Sequence, residues 1–179
     1  FYNTYIDWGA LLSVAQEHPD LKFRYIGNLD PDFPDAAFQR LRTEPNVEFT
    51  GLKTKDELVP MVREADILIF SFMTDNRLLE RANPHKVLEY LSTGNVIMGS
   101  WTLEYAPHQH LLMMAPDRSG FVPTFRRTVE RFAELNTPER RAERIAFAQE
   151  RTTDRLLERV AGLIAQHGRP TGPTTTLPV

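Results

Sequence analysis

Two short runs without a polar residue, Ile67-Leu68-Ile69-Phe70 and Val96-Ile97-Met98, constrain this chain more than any other feature. Apolar side chains that do not alternate with polar ones need cover on both faces. That is the environment of a buried strand in a parallel sheet between helix layers. Between the runs lies a segment with its own start and stop signals, Asn83-Pro84-His85-Lys86-Val87-Leu88-Glu89-Tyr90-Leu91-Ser92-Thr93-Gly94. Asn83 suits the cap, where its side-chain oxygen accepts from a free first-turn N–H. Pro84 suits the first helical position, and Gly94 the left-handed residue that ends a helix. On a 3.6-residue wheel Pro84, Val87, Leu88 and Leu91 share one face, with Lys86, Glu89 and Thr93 opposite. A helix start with free N–H groups and a nearby lysine suits an anion such as phosphate. An ordinary buried helix with a weak Lys86–Glu89 surface pair fits the same residues. The polar connection 71–82, which leaves the first run and delivers the chain to Asn83, favours the functional reading, because long loops inside compact domains commonly carry function.

The rest of the chain alternates in the same way. Asp7 reads as the cap of a helix with Trp8, Leu11, Leu12 and Ala15 at helical spacing. Residues 21–26 alternate and stop at Gly27, as a strand does. A turn-rich loop, a short helix over 36–42 and a strand over 46–50 closed by Gly51 follow. Thr54 and Glu57 have capping-box spacing ahead of Leu58, Met61, Val62 and Ala65. After the second apolar run come an irregular stretch, a strand over 111–115, a helix over 122–135, and one long helix from Pro138 to about residue 166. Strands alternating with helices from end to end predict an α/β domain with an open, mostly parallel, Rossmann-like sheet flanked by helices. In such sheets ligands sit beyond the carboxyl ends of the strands. The domain is expected over 1–167, with the Gly-, Pro- and Thr-rich residues 168–179 as a disordered tail.

Composition narrows the function. Hydrophobic residues are 41% and charged residues 25% of 179, the balance of a folded, water-exposed domain. A net charge of -3 and a pI near 6.0 give no electrostatic case for nucleic acid. The absence of cysteine rules out disulfides, thiol catalysis and zinc–cysteine sites. No apolar run approaches the roughly 20 residues of a membrane span, and residues 1–8 lack the pattern of a signal peptide. The chain begins without Met and reads as a piece of a longer protein.

The order of segments, a strand ending in Gly, a capped helix, "ADILIFSF", a polar loop and "NPHKVLEYLSTGNVIMGS", resembles the C-terminal half of GT-B glycosyltransferases. The likeness is to bacterial transferases of the large retaining superfamily (group 1, family 4-like) that build surface polysaccharides. "YIDWGALLSVAQEHPDLKFRYIG" is similar to the first helix and second strand of that half, and "RAERIAFAQERTTDRLLERVAGLI" to its closing helix.

The resemblance implies the half that binds a nucleoside-diphosphate-sugar donor, without a metal or other cofactor. A saccharide or lipid-linked acceptor would be held mostly by the other half. It also implies a cytoplasmic setting, with room for peripheral association at the inner membrane face. Carried over by residue, Glu89 would accept hydrogen bonds from the two ribose hydroxyls, since a carboxylate offers several acceptor sites. Lys86 would lie beside the diphosphate and stabilise it as a leaving group. The backbone N–H groups around His85, Lys86 and Val87, at the start capped by Asn83, would bind its oxygens. Gly51, Leu52 and Lys53 would meet the base through backbone groups, and Arg81 is a second candidate phosphate contact. The family often carries a Glu eight positions before the ribose Glu. Here that position is Arg81, with Glu80 one place off, so that donor-sugar contact has no assigned residue. The family's first strand and its Gly-containing phosphate loop are expected before Phe1. Alone, these residues are expected to bind donor weakly and not to turn over.

Other readings compete. Asp30-Pro31-Asp32 resembles the Asp-x-Asp metal motif of the other nucleotide-sugar transferase fold, but a turn with local Asp–backbone bonds suits the strand order better. His108 and His110 lack a third ligand nearby and read as solvated loop residues. Tyr2, Tyr5 and Trp8 read as core or interface, and Arg126-Arg127 and Arg140-Arg141 as exposed helix faces. A non-catalytic sugar-nucleotide-binding module and a GT-B-fold nucleotide-sugar epimerase are the alternatives. The epimerase would need acid–base groups in the cleft, and no convincing pair stands out.

Overall fold

The computed structural model describes residues 3–73 and 85–166. A single 3-10 turn, Asn3–Tyr5, leads into α1 (Trp8–Glu17), β1 (Phe23–Tyr25), α2 (Ala36–Leu41), β2 (Val47–Phe49), α3 (Lys55–Glu64) and β3 (Ile67–Phe70). Then come α4 (His85–Thr93), β4 (Val96–Ser100), a 3-10 stretch Leu103–His108, β5 (Met113–Ala115), α5 (Phe121–Glu130), α6 (Phe132–Leu135), α7 (Pro138–Gln149) and α8 (Thr153–Gln166). The expected capping of α4 by Asn83 and Pro84, Arg81 and Glu80 in the preceding connection, Tyr2, and the tail from 168 lie outside the described residues.

Every described strand pair is parallel, as the unalternating apolar runs require. The strands form two ladders, β1-β2 and β3-β4-β5. Ile67 faces Val96 and Met98 faces Met113. Gly99 is required in β4, because a Cβ there would fall 2.3 Å from the Phe70 ring.

One apolar layer serves both ladders. Trp8, Leu11, Val14 and Ala15 of α1, Phe38 and Leu41 of α2, and Phe121 and Phe125 of α5 pack with Phe23, Met98 and Ala115 from the strands. Ile67 and Ile69 of β3 join the same layer. On the other face Leu68, Phe70 and Ile97 meet Val87 and Leu91 of α4 and Ala148 of α7. Val87, Leu91 and Ile97 are fully buried, each contributing about 1.5–3 kcal/mol of transfer free energy. Two asparagines stitch the other end of the strands. Asn46 Nδ2 donates to the Ala15, His18 and Leu21 carbonyls, closing α1 against the start of β1. Asn95 Nδ2 does the same for Val62, Arg63 and Ala65 at the end of α3.

The expected long helix from Pro138 is two helices. At the junction Arg151 Nη1 donates to the Phe147 carbonyl at 3.3 Å, while the Arg151 backbone N–H turns to Ala148 O at 3.1 Å. Its own side chain thus takes the acceptor that a continuing α-helix would use, and Thr152 starts the next helix by accepting from Arg155 N–H. The stripe expected along one helix is divided in consequence: Ala148 is core, whereas Leu156, Val160 and Ile164 are exposed. The helix expected over 122–135 also breaks, at Arg131, into α5 and α6. The capping box at Thr54 and Glu57 forms as expected, with Thr54 N–H donating to Glu57 at 2.9 Å and Glu57 N–H to Thr54 Oγ1 at 3.4 Å.

Candidate functional site

Because α4 runs back between two parallel strands, its amino end lies at the carboxyl ends of β3 and β4, the ligand-binding end of such a sheet. Its two faces separate as the wheel predicts. Val87 and Leu91 are wholly buried against the sheet, while Lys86 and Glu89 are exposed. His85 begins the helix. Glu89 makes no ion pair among the described residues, so the weak Lys86–Glu89 pair of the alternative reading does not form.

The carboxyl ends of the other ladder carry the second group of expected site residues. Gly27 and Gly51 end β1 and β2 at φ 147° and 70°, conformations that exclude a side chain without strain. Gly27 N–H donates to the Gly51 carbonyl at 3.0 Å, tying the two turns together. Around them a slot of about 180 Å³ is walled by Leu29, Pro31, Phe38, Phe49 and Arg42. Leu52 projects into solvent at 76% exposure, and Lys53 is half-buried. Lys53 lines a separate, more polar cleft of about 500 Å³ with Arg24, Glu48, Thr50, Glu57 and Met61. Gly51 and Lys53 therefore border two different cavities.

A polar network at the rim was not visible in the sequence. Asp7, 3% exposed, caps α1 through Ala10 N–H at 3.0 Å and pairs with Arg118 at 2.8 Å. Ser71 Oγ donates to the Asp7 carbonyl at 3.3 Å, and Met73 N–H to Tyr5 O at 2.9 Å. Ser100 Oγ receives Phe72 N–H at 2.9 Å and donates to Phe72 O at 3.0 Å. The chain leaving β3 toward α4 is thus anchored over its first three residues to Tyr5 and Asp7, ahead of α1, and to Ser100 of β4. Asp7 had a cap signature, but Ser71, Ser100 and Arg118 are joined only by folding.

The competing motifs resolve individually. Asp30 accepts from Asp32 N–H at 3.0 Å, a local turn bond. Trp8 is core, 4.7 Å from the Phe38 ring. Contrary to expectation, His108 is not simply solvated. Its ring meets Phe147 edge-on at 4.6 Å, and burial, with help from the charges of Arg151 and His110, lowers its pKa. His110 lies 3.7 Å from Glu143. Arg126 pairs with Glu17 at 2.7 Å, and Arg140 with Glu143 at 3.2 Å, both at the surface. Among the described residues no group of three His, Asp or Glu side chains could hold a metal ion, and no helix is long and apolar enough to cross a membrane.

Comparison with solved structures gives the architecture a reference. WaaG, a glycosyltransferase involved in lipopolysaccharide biosynthesis, superposes with a TM-score of 0.60 at 16% identity, over 88% of this chain and 42% of its own. The fold is that of one GT-B half. UDP-GlcNAc 2-epimerase from Neisseria meningitidis, bound to UDP-GlcNAc, superposes with a TM-score of 0.52 at 14% identity, over 84% of this chain and 40% of its own. The chain therefore spans less than half the length of either neighbour. No protein-family model matches the sequence, and no curated protein matches it.

Proposed function

We propose that these residues form the donor-binding half of a glycosyltransferase, which moves a sugar from a nucleoside-diphosphate sugar to an acceptor hydroxyl in polysaccharide or glycoconjugate synthesis. The observation that carries the reading is the division of α4: Val87 and Leu91 sealed on the sheet, Lys86 and Glu89 exposed near the helix start at the ligand-binding end. The fold neighbours support it, one a glycosyltransferase and one an enzyme bound to UDP-GlcNAc.

In this reading the first-turn N–H groups of α4 and the Lys86 ammonium meet the diphosphate, with Asn83 as cap and Arg81 as a further cation. Glu89 accepts from the ribose hydroxyls, and the turn of Gly51, Leu52 and Lys53 meets the base. As the bond between the sugar's anomeric carbon and the diphosphate oxygen breaks, charge grows on the leaving group. The new bond forms to the acceptor oxygen, which gives up its proton. Fixed cations and a helix N-terminus stabilise that charge without a metal ion. The acceptor, saccharide or lipid-linked, would be held by a part of the enzyme outside these residues.

The epimerase neighbour supports a second reading, inversion of a sugar centre in a bound nucleotide sugar. Product analysis separates the two. A new glycosidic bond that requires acceptor marks a transferase, an epimerised sugar formed without acceptor marks an epimerase, and donor binding without product marks a non-catalytic module.

A further inference from the structure

The carboxyl end of α4 is held as tightly as its Lys86 and Glu89 side chains are open. Gly94 closes the helix at φ 75°, so close to α7 that a Cβ there would lie 3.0 Å from Ile145 Cδ1 and 3.1 Å from the Arg141 carbonyl oxygen. Against the same joint lies Arg144, 2% exposed and among the largest fully enclosed side chains. It forms no ion pair with a described carboxylate. Instead Nε donates to the Gly94 carbonyl at 3.1 Å and Nη2 to the Leu135 carbonyl at 2.6 Å. The acceptors are the carbonyls that follow α4 and end α6. Burial, followed by the charges of Arg141 and Arg140, lowers its pKa to about 10, which still leaves it protonated at neutral pH.

Keeping a cation in a dry site is costly, and an apolar side chain of similar volume would fill the space more cheaply. Filling space does not call for arginine. What the guanidinium adds is direction: a planar fork that ties two carbonyls in one geometry, against the negative end of the α4 dipole.

We propose that Arg144 is a positioning residue for the nucleotide site, an inference that rests on the reading of Lys86 and Glu89 above. By holding the carboxyl end of α4 it sets the orientation in which those two side chains face the cleft while Val87 and Leu91 face the sheet. Lys86 is about 12 Å along the helix from Gly94 at the usual rise. A tilt of about 5° would shift it by about 1 Å, a displacement that can cost up to about a hundredfold at a reacting centre.

The test is calorimetric titration of the intact protein with a set of nucleoside diphosphates, beside turnover with the matching sugar nucleotide where product forms. Arg144→Met should raise Kd at least about tenfold, the size of one good charge-assisted bond, with a rise in KM of the same order. Arg144→Lys, which can satisfy one carbonyl, should recover part of the loss. Gly94→Ala, which strains the same joint from the other side, should move Kd the same way. Arg126→Ala removes a surface pair between α1 and α5 and serves as control; it should leave Kd unchanged. If Arg144→Met fails to fold, Arg144→Lys and Gly94→Ala carry the comparison. Unchanged Kd in the folded Arg144 and Gly94 variants, while Lys86→Ala weakens binding, overturns this inference alone. An equal rise in Arg126→Ala also overturns it. Unchanged binding in Lys86→Ala overturns the site reading and the inference together.

Discussion

Lys86 and Glu89 are three residues apart on one helix, yet their chemistry suits them to separable tasks. Lys86 meets diphosphate charge and Glu89 meets ribose hydroxyls, so their removal should leave different signatures. Lys86→Ala should weaken binding of every nucleoside diphosphate by about ten- to a hundredfold, the range of a hydrogen bond to a charged group, and should affect the corresponding nucleoside little. Glu89→Ala should instead erase the preference for ribo- over 2′-deoxynucleoside diphosphates. Titration of both variants with matched ligands checks this. The orientation of these side chains was legible because amphipathic spacing fixes which way a short helix rolls onto a sheet. The burial of Arg144 was not. Arg140, Arg141 and Arg144 occur in one basic-acidic stretch, and only the approach of Gly94 to α7 decides which of them turns inward.

Among the elements, α1 and α3 end in the same way. Asn46 and Asn95, each one residue before a strand, gather three carbonyls from the end of a preceding helix and, for Asn46, the turn that follows it. Asn95 is 2% exposed, so Asn95→Ala would leave buried acceptors unpaired and should cost about 1–3 kcal/mol in urea unfolding. Asn95→Asp should be at least as harmful, since a carboxylate cannot donate to carbonyls. Start signals were legible here: Asp7 and Thr54 cap their helices as expected, and α7 begins at Pro138. Stop signals were read poorly where no Gly or Pro marks them. The break after Gln149 depends on Arg151, whose guanidinium lies 3.5 Å from the centre of the Phe147 ring and competes for its carbonyl. A helical pattern running through 138–166 conceals that competition.

For the whole molecule, the parallel α/β architecture was legible because the strands are short, β3 and β4 are apolar without alternation, and helices separate the first four strands from one another. The division into two ladders was not, since hydrophobic pattern sets which face is buried and not which strands are neighbours. Long-range packing also sets the response to pH. His108 is held below its ordinary pKa of 6.5 by burial and by the nearby Arg151 and His110 charges, with Glu104 opposing. The folded state therefore binds this proton more weakly than the unfolded chain does. Its contribution is harmless above the ordinary value, and stability is lost as pH falls from there through the depressed folded-state value. Urea midpoints at about pH 7.5 and about pH 5.5, on either side of the ordinary histidine value, should fall more in the unsubstituted protein than in His108→Gln.

The central claim is that the start of α4 is a nucleoside-diphosphate site, and calorimetric titration of the intact protein with nucleoside diphosphates tests it most directly. Binding should be saturable, weakened at least about tenfold by Lys86→Ala and stripped of its preference for ribose by Glu89→Ala. Binding unchanged in both variants would contradict the claim.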